Sequence, residues 1–553
     1  MLRDAADFTD GHAFHADICI VGCGAAGITI ALDLIGSGLR VLILESGGFE
    51  PEDETQSLYR GAVVDEALHS PPDRYRQRRF GGTTTIWGGR CMPLDDIDFE
   101  QRSYVPDSGW PIRGEELLPF YTEANRLCEA GRFAYRADVA FGTAARQIID
   151  GFQSQHFSSD RLERFSCPTD FGARYGHKLR SAQNLEIVLH ANLTTIKLDP
   201  AGVRVDHLVV RDLAGRQFTA HAGRFVLATG GLETPRLLLA NRDQRPAGLG
   251  NENDIVGRYY MCHLAGTIGS IRIDRPASAV FHGYQMSDEG IYCRRRFALS
   301  ENTQRREQIG NFIARLHHPR ITDPAHRNAM LSLLFLAKPL IPYEYAKRLH
   351  GDESASASRW LQHVGNVLTG PLDAAGFAWH MIRDRILAER KFPSIIIKSK
   401  ANLFSLDFHA EQFPNRSSRV TLSGNADRFG MPQILVDWRY LPGDVHTVAR
   451  SLELLASDFE TGGFGRLEYD PASVEHEMTR YGAYGGHHIG TARMGADPRT
   501  SVVDANCRLH SVDNLYISSA AVFPTSSQAN PTLTVVALAL RLARYLRGPG
   551  APR

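Results

Sequence analysis

Much that would commit a chain to a particular partner is missing from these 553 residues. Charge of one sign is not in excess: 62 Lys and Arg balance 62 Asp and Glu, so the formal net charge is zero. This excludes the basic footprint of a nucleic-acid binder and any whole-chain attraction to a strongly anionic surface. The eight cysteines (19, 23, 91, 128, 167, 262, 293 and 507) include no Cys-x-x-Cys and no other metal-type spacing, so no metal centre is expected. Cys19 sits in an apolar strand and Cys23 in a tight glycine turn, where a disulfide is awkward. Reduced, buried thiols of a cytoplasmic protein are the expectation. Met1–Asp7 has no basic region followed by an apolar run, which argues against a secretory signal. No apolar run reaches the ~20 residues a membrane-spanning helix needs. The strongest, Ala329–Ala337, is ended by Lys338 and Pro339. It reads as a buried or interfacial helix, with a membrane-surface or subunit contact as the other reading. There is no internal repeat and no low-complexity tract.

What is present is a large, ordinary globular composition, 43% hydrophobic and 22% charged. The length exceeds what one hydrophobic core serves, so two domains are expected, not necessarily contiguous. Glycine is abundant at 50 residues and concentrates around 81–89 and 482–495, as where backbone must approach a ligand.

Residues 16–45 spell a βαβ unit. Asp17-Ile18-Cys19-Ile20-Val21 is a buried parallel strand, 25–36 is a helix ended by Gly36-Ser37-Gly38, and Arg40–Glu45 is the second strand. The turn between them is Gly22-Cys23-Gly24-Ala25-Ala26-Gly27. Gly22 permits the tight turn, Gly24 lets backbone approach a pyrophosphate, and Gly27 lets helix and strand pack closely. Glu45, ending the second strand, can accept hydrogen bonds from a ribose 2′-hydroxyl. This context marks a Rossmann-like dinucleotide site without choosing between FAD and NAD. Residues 185–228 hold further strands. Arg224–Ala228 leads through Thr229-Gly230-Gly231 into a helix from about Thr234, returning the chain to the nucleotide domain. Residues 50–79 are polar and aperiodic and read as a loop or lid. An amphipathic helix is expected at 114–130, and strands at Ile395–Ile397, Arg419–Leu422 and Ile434–Val436.

Four separated stretches carry a resemblance. Phe80-Gly81-Gly82-Thr83-Thr84-Thr85-Ile86-Trp87-Gly88-Gly89-Arg90 is similar to the flavin-covering loop of the glucose–methanol–choline (GMC) oxidoreductases. Gly109-Trp110-Pro111-Ile112, running into a helix with Pro119-Phe120-Tyr121, resembles the same family. Ala228–Leu238 resembles its second signature, although Ala240-Asn241-Arg242-Asp243 replaces the usual Ser-Gly-Ile-Gly. The best match is His487-His488-Ile489-Gly490-Thr491-Ala492-Arg493-Met494-Gly495 with Asn530-Pro531-Thr532. The resemblance covers about 1–260 and 405–545. It implies FAD as cofactor, contacted by Gly22, Gly24, Ala26, Gly27 and Glu45, by Gly82, Thr83, Thr84, Trp87, Gly88 and Gly89, and by Leu193, Thr229, Gly230, Ala520, Pro531 and Thr532. For Trp87, packing alone is the other reading. Members with covalent flavin carry His where Ile86 stands, so non-covalent FAD is expected.

The fold class implied is α/β with α+β. A discontinuous FAD-binding domain spans 14–50, 80–110, 190–260 and 490–545. A sheet-plus-helices substrate domain spans 111–189 and 261–489, with a helical insertion at about 325–390, and 51–79 is the loop or lid. The resemblance also implies a reaction. A CH–OH group is oxidised to a carbonyl by hydride transfer to flavin N5, with His487 as base and Asn530 as partner at the substrate oxygen. An imidazole suits that work near neutral pH. The helix after Pro531 would turn its positive end toward the flavin pyrimidine. Locally, Asn530 could equally be a helix N-cap with Pro531 at the first helical position. His488 is a rival for the base, or a residue that orients the loop; His488, Glu411 and Gln412 are candidate pocket residues. His190, His221 and His409 read as surface or structural. The leading substrate class is a sugar, glycoside or polyol, as in the pyranose-oxidase-like branch. An apolar alcohol or sterol, lyase chemistry and a non-catalytic flavin protein are the rivals. The electron acceptor stays open between dioxygen, a quinone and a redox protein.

Overall fold

Two large sheets organise the molecule, with a four-stranded and a three-stranded sheet beside them, and the chain passes between the large ones repeatedly. The computed structural model describes residues 1–342, 346, 356–394, 396–397, 402–480 and 484–548. The first sheet has eight strands in the order Leu2–Asp4, Leu185–Leu189, Val41–Leu44, Ala13–Val21, Gln217–Leu227, Val205–Arg211 and Asn192–Leu198, with Leu515–Ile517 also paired to Gln217–Leu227. Pairings among the strands around Ala13–Val21 are parallel, Ile18 opposite Val41 and Arg224. The runs Ile18–Val21 and Val41–Leu44 are apolar at every position because both faces are covered. The helices Ala25–Leu34 and Thr532–Arg547 pack together within this first core.

The second sheet is antiparallel and seven-stranded. It runs Gly465–Glu468, Met261–Ile273, Leu403–Ala410, Phe312–His317, Phe297–Leu299 and Phe157–Ser158, with Tyr484–Ile489 paired to Met261–Ile273. Its core is aromatic, including Phe297, Phe312 and Phe408. The helix Pro442–Thr461 lays Val448, Leu452, Leu455 and Phe459 against it, one face at helical spacing.

The structure corrects several expectations. The segment 51–79 is no loose lid: it holds a short helix, Asp53–Ser57, and a strand, Gly61–Val63, which adds in parallel to Pro432–Asp437. Gln56 pins it further, donating to the carbonyls of Asp73 and Arg76. Leu185–Leu189, placed with the substrate domain, lies inside the first sheet. The helix expected from about Thr234 begins at Gly230. Ile396 and Ile397 are not strand, and Ile395 lies outside the described residues. The insertion is helical: Ala329–Leu336 and Pro371–Met381 share a small core, and Ala357–Thr369 packs on the first of them through His363, which stacks on Phe335 and meets Ser332. No described helix is long and apolar enough to cross a membrane.

Candidate active site

The Gly22–Gly27 turn has two kinds of glycine. Gly22 adopts φ +101°, and a Cβ there would lie 2.7 Å from the Ala228 carbonyl oxygen. A Cβ on Gly27 would lie 2.0 Å from the Gly22 oxygen. Both are glycine because the protein's own backbone fills the space, and Gly27 accordingly faces the packing and not the cavity. A Cβ on Gly24 would meet nothing closer than the Gly82 Cα at 3.9 Å. Gly24 precedes the helix Ala25–Leu34 and has no capping side chain, so the helix's free N–H groups face open space. That is a cradle for a phosphate and not a packing constraint.

A cavity opens from this turn. Ala26, Glu45, Gly82, Thr83, Thr84 and Trp87 border it on one side. Leu193, Thr229, Gly230, Ala520, Pro531 and Thr532 border it elsewhere. Residues from four distant stretches therefore meet at one hole. Glu45 is buried, accepting from the Cys23 amide at 2.7 Å and the Gly47 amide at 3.0 Å. Burial raises its carboxyl above the ordinary range, and those amides pull it back. Each oxygen retains acceptor capacity for a ribose hydroxyl. Tyr59, Tyr75 and Arg78, from the segment expected to be a lid, also form this wall, with Arg78 held to buried Glu233 at 3.2 Å. Gly89 is not part of this cavity's lining; a Cβ there would press on Pro168 and Ser166.

His487 is buried on the strand Tyr484–Ile489. Its Nε2 lies 3.1 Å from Asn530 Nδ2 and its Nδ1 lies 2.7 Å from His263 Nδ1. The flanking Gly486 and His488, and Pro531 and Thr532 after Asn530, line the cofactor cavity; the pair is next in sequence to that lining, and neither residue is itself part of it. His488 points to the cavity side, as strand alternation requires. Pro531 has helical φ and ψ, as the first position of a helix does, but Asn530 Oδ1 caps no backbone N–H; its amide turns to His487 instead. Asn530 Oδ1 is buried without a hydrogen-bond partner, an acceptor aimed at nothing in the protein.

His263 was missed by sequence reasoning. It lies on Met261–Ile273 between Cys262 and Leu264, fully buried, and burial pushes its imidazole down to about 4. A histidine inside an apolar strand run was the only local signal. Its ring stands 6.2 Å from that of His409, which is buried and borders a second cavity, so His409 is no surface residue. That second cavity, about 1130 Å³, shares Tyr75, Thr84 and Trp87 with the first and extends under the helical insertion. Gly88 borders it. Glu411 and Gln412 line neither cavity. Glu411 is locked in a bidentate pair with Arg102 at 2.8 and 2.5 Å, and Gln412 accepts from the Cys262 amide and Trp438 Nε1. Their partners use the polar atoms that substrate contact would require.

The C-terminal residues 414–539 match the family described as GMC oxidoreductase, and 16–260 match that described as pyridine nucleotide-disulphide oxidoreductase. An uncharacterised GMC-type oxidoreductase of Mycobacterium tuberculosis is 39% identical over 571 residues, covering 96% of this chain and 75% of the relative.

The chain belongs to the GMC oxidoreductase family.

Another relative, the fructose dehydrogenase large subunit of Gluconobacter japonicus, is 25% identical over 96% of this chain and 97% of its own. Among solved structures, pyridoxine 4-oxidase from Mesorbium loti shares the fold, with TM-score 0.53 and 19% identity over 96% of this chain and 98% of that one. As a GMC oxidoreductase the protein is an FAD-dependent enzyme acting on CH–OH donors. The open cradle at Gly24, the buried acceptor on Glu45 and the N-terminus of Thr532–Arg547 at the cavity suit the pyrophosphate, ribose and ring of that cofactor.

Proposed function

We propose that His487 is the general base of an alcohol oxidation and that Asn530 holds the substrate oxygen. The observation that carries this is the buried chain Asn530–His487–His263, whose sequence neighbours Gly486, His488, Pro531 and Thr532 line the cofactor cavity. FAD held there supplies the acceptor for the carbon-bound hydride. His487 Nε2 takes the hydroxyl proton as the carbonyl forms. Asn530, whose amide now meets that nitrogen, offers a hydrogen bond to the developing alkoxide instead. Ile86 has no nucleophilic atom, so the flavin is bound without a covalent link, and acid should release it intact.

The substrate reading is a sugar, glycoside or polyol, supported by a near-full-length relative named for fructose. The walls of the larger cavity favour a second reading. Leu333, Leu334, Phe377, Met381 and Phe392 suit an apolar alcohol better than a free sugar. Anaerobic flavin bleaching by a panel of monosaccharides, glycosides, long-chain alcohols and sterols separates the two. Bleaching by none of them, with FAD bound, would remove the alcohol-oxidation reading.

A further inference from the structure

The helical insertion is apolar on both of its sides. Inward, Leu331, Leu334, Phe335 and Phe377 form a core. Outward, Leu361, Leu368, Leu372, Trp379, Ile386 and Leu387 are 61–87% exposed. Among the described residues, every large apolar side chain more than 60% exposed lies within 340–387. Leu361 and Leu368 are seven apart on one helix, as are Leu372 and Trp379 on the next, so each pair shares a face two turns long. An apolar patch on this scale is a contact surface and not scattered exposure.

Charge and position say what it contacts. Residues 325–400 carry eleven Lys and Arg against six Asp and Glu, in a chain whose total charge is zero. Five of the eleven are lysines, a residue that protein–protein interfaces deplete, whereas interfacial membrane helices combine Leu and Trp with flanking Lys and Arg. Leu340, Ile382 and Ile386 are both exposed and part of the larger cavity's lining, so the mouth of that cavity opens within the patch.

We propose that the outer face of the insertion seats the enzyme on an anionic lipid surface, with the mouth of the larger cavity turned toward the acyl chains. Leu361, Leu372 and Trp379 enter the headgroup boundary, and basic side chains such as the exposed Arg359 and Lys391 meet the lipid phosphates. Entry of an apolar alcohol by this route rests on the second substrate reading. The docking does not, and its test reads no turnover.

The test is co-sedimentation of the FAD-loaded enzyme with vesicles of three parts phosphatidylcholine to one part phosphatidylglycerol, and with phosphatidylcholine alone. The wild type should pellet with the anionic vesicles, less with neutral ones, and less again at high salt. The combined Leu361→Glu, Leu372→Glu and Trp379→Glu variant should bind roughly tenfold or more weakly, with flavin content and melting temperature kept. If that variant loses FAD, Leu372→Glu alone carries the test, since Leu372 is 87% exposed. A wild type that stays in the supernatant overturns the proposal. So does a variant that pellets as well as the wild type. A wild type that is dimeric in solution, made monomeric by these changes and indifferent to vesicles, shows instead that a second copy covers the face.

Discussion

His263 and His487 meet Nδ1 to Nδ1 at 2.7 Å, so one of the two nitrogens carries a proton and the other does not. Asn530 settles the order. Its amide donates to His487 Nε2, which must therefore be bare, and the His487 proton sits on Nδ1 and points at His263. Burial keeps His263 neutral and able to accept it. The nitrogen proposed as the base is thus presented by a tautomer that two neighbours select.

Removing the selecting neighbour should slow the chemistry without touching the cofactor. His263→Ala is expected to lower the rate of anaerobic flavin reduction about 10- to 100-fold, the usual scale for a lost orienting partner. FAD content should stay at the wild-type level. A variant that reduces its flavin at full speed would show the histidine pair to be structural only.

His487→Ala should cost more, about 10²- to 10⁴-fold in the same stopped-flow measurement. Asn530→Ala should cost less, because it removes a hydrogen bond and not the base. Its thermal stability should fall by no more than the ~1 kcal/mol of one hydrogen bond, since Asn530 Oδ1 caps no backbone N–H of the helix. A slower reduction in His488→Ala than in His487→Ala would exchange the roles of the two.

The glycine turn separates folding from cofactor binding. Gly22→Ala forces a Cβ against the Ala228 carbonyl at a positive φ and should lower the melting temperature markedly. Gly24→Ala meets no protein atom within 3.9 Å and should fold normally while retaining little FAD. Flavin absorbance per chain, read beside a melt, decides this; equal FAD retention in both would mean the cradle is not at Gly24.

Acid should destabilise the fold in a defined window. His263 and His318 are both pushed down by burial to about 4, against about 6.5 in an unfolded chain. Below 6.5 the unfolded state binds protons the folded state refuses, so the stability present above that pH is lost as pH falls toward 4. Each histidine contributes a slope of up to ~1.4 kcal/mol per pH unit. Melts from pH 7 to 4.5 should show the decline, and His263→Gln should flatten it.

The parts of this fold that were legible in sequence are those whose cause is local. The glycine turn, Glu45 and the two flanking strands follow from contacts within a few dozen residues, and the His487–Asn530 pairing follows a resemblance spanning distant stretches. His263 was illegible because its partner is 224 residues away and its own neighbours only say that it is buried. Gly61–Val63 was illegible because a three-residue edge strand has no period to display. Glu411 and Gln412 looked like pocket residues because polar side chains beside a loop usually are. Here Arg102, Cys262 and Trp438 claim them first.

The first sheet has a consequence for how the protein is made. Ala13–Val21 pairs with Gln217–Leu227, which pairs in turn with Leu515–Ile517, and Pro531 and Thr532 complete the cofactor wall. During translation, the earliest nucleotide-binding residues emerge long before the strand and helix that enclose their ligand. The growing chain must hold an unfinished sheet edge and an open cradle for most of its synthesis. Loading with flavin is therefore a late event, and a ribosome that halts before Leu515 releases a chain with the binding signature but no closed site.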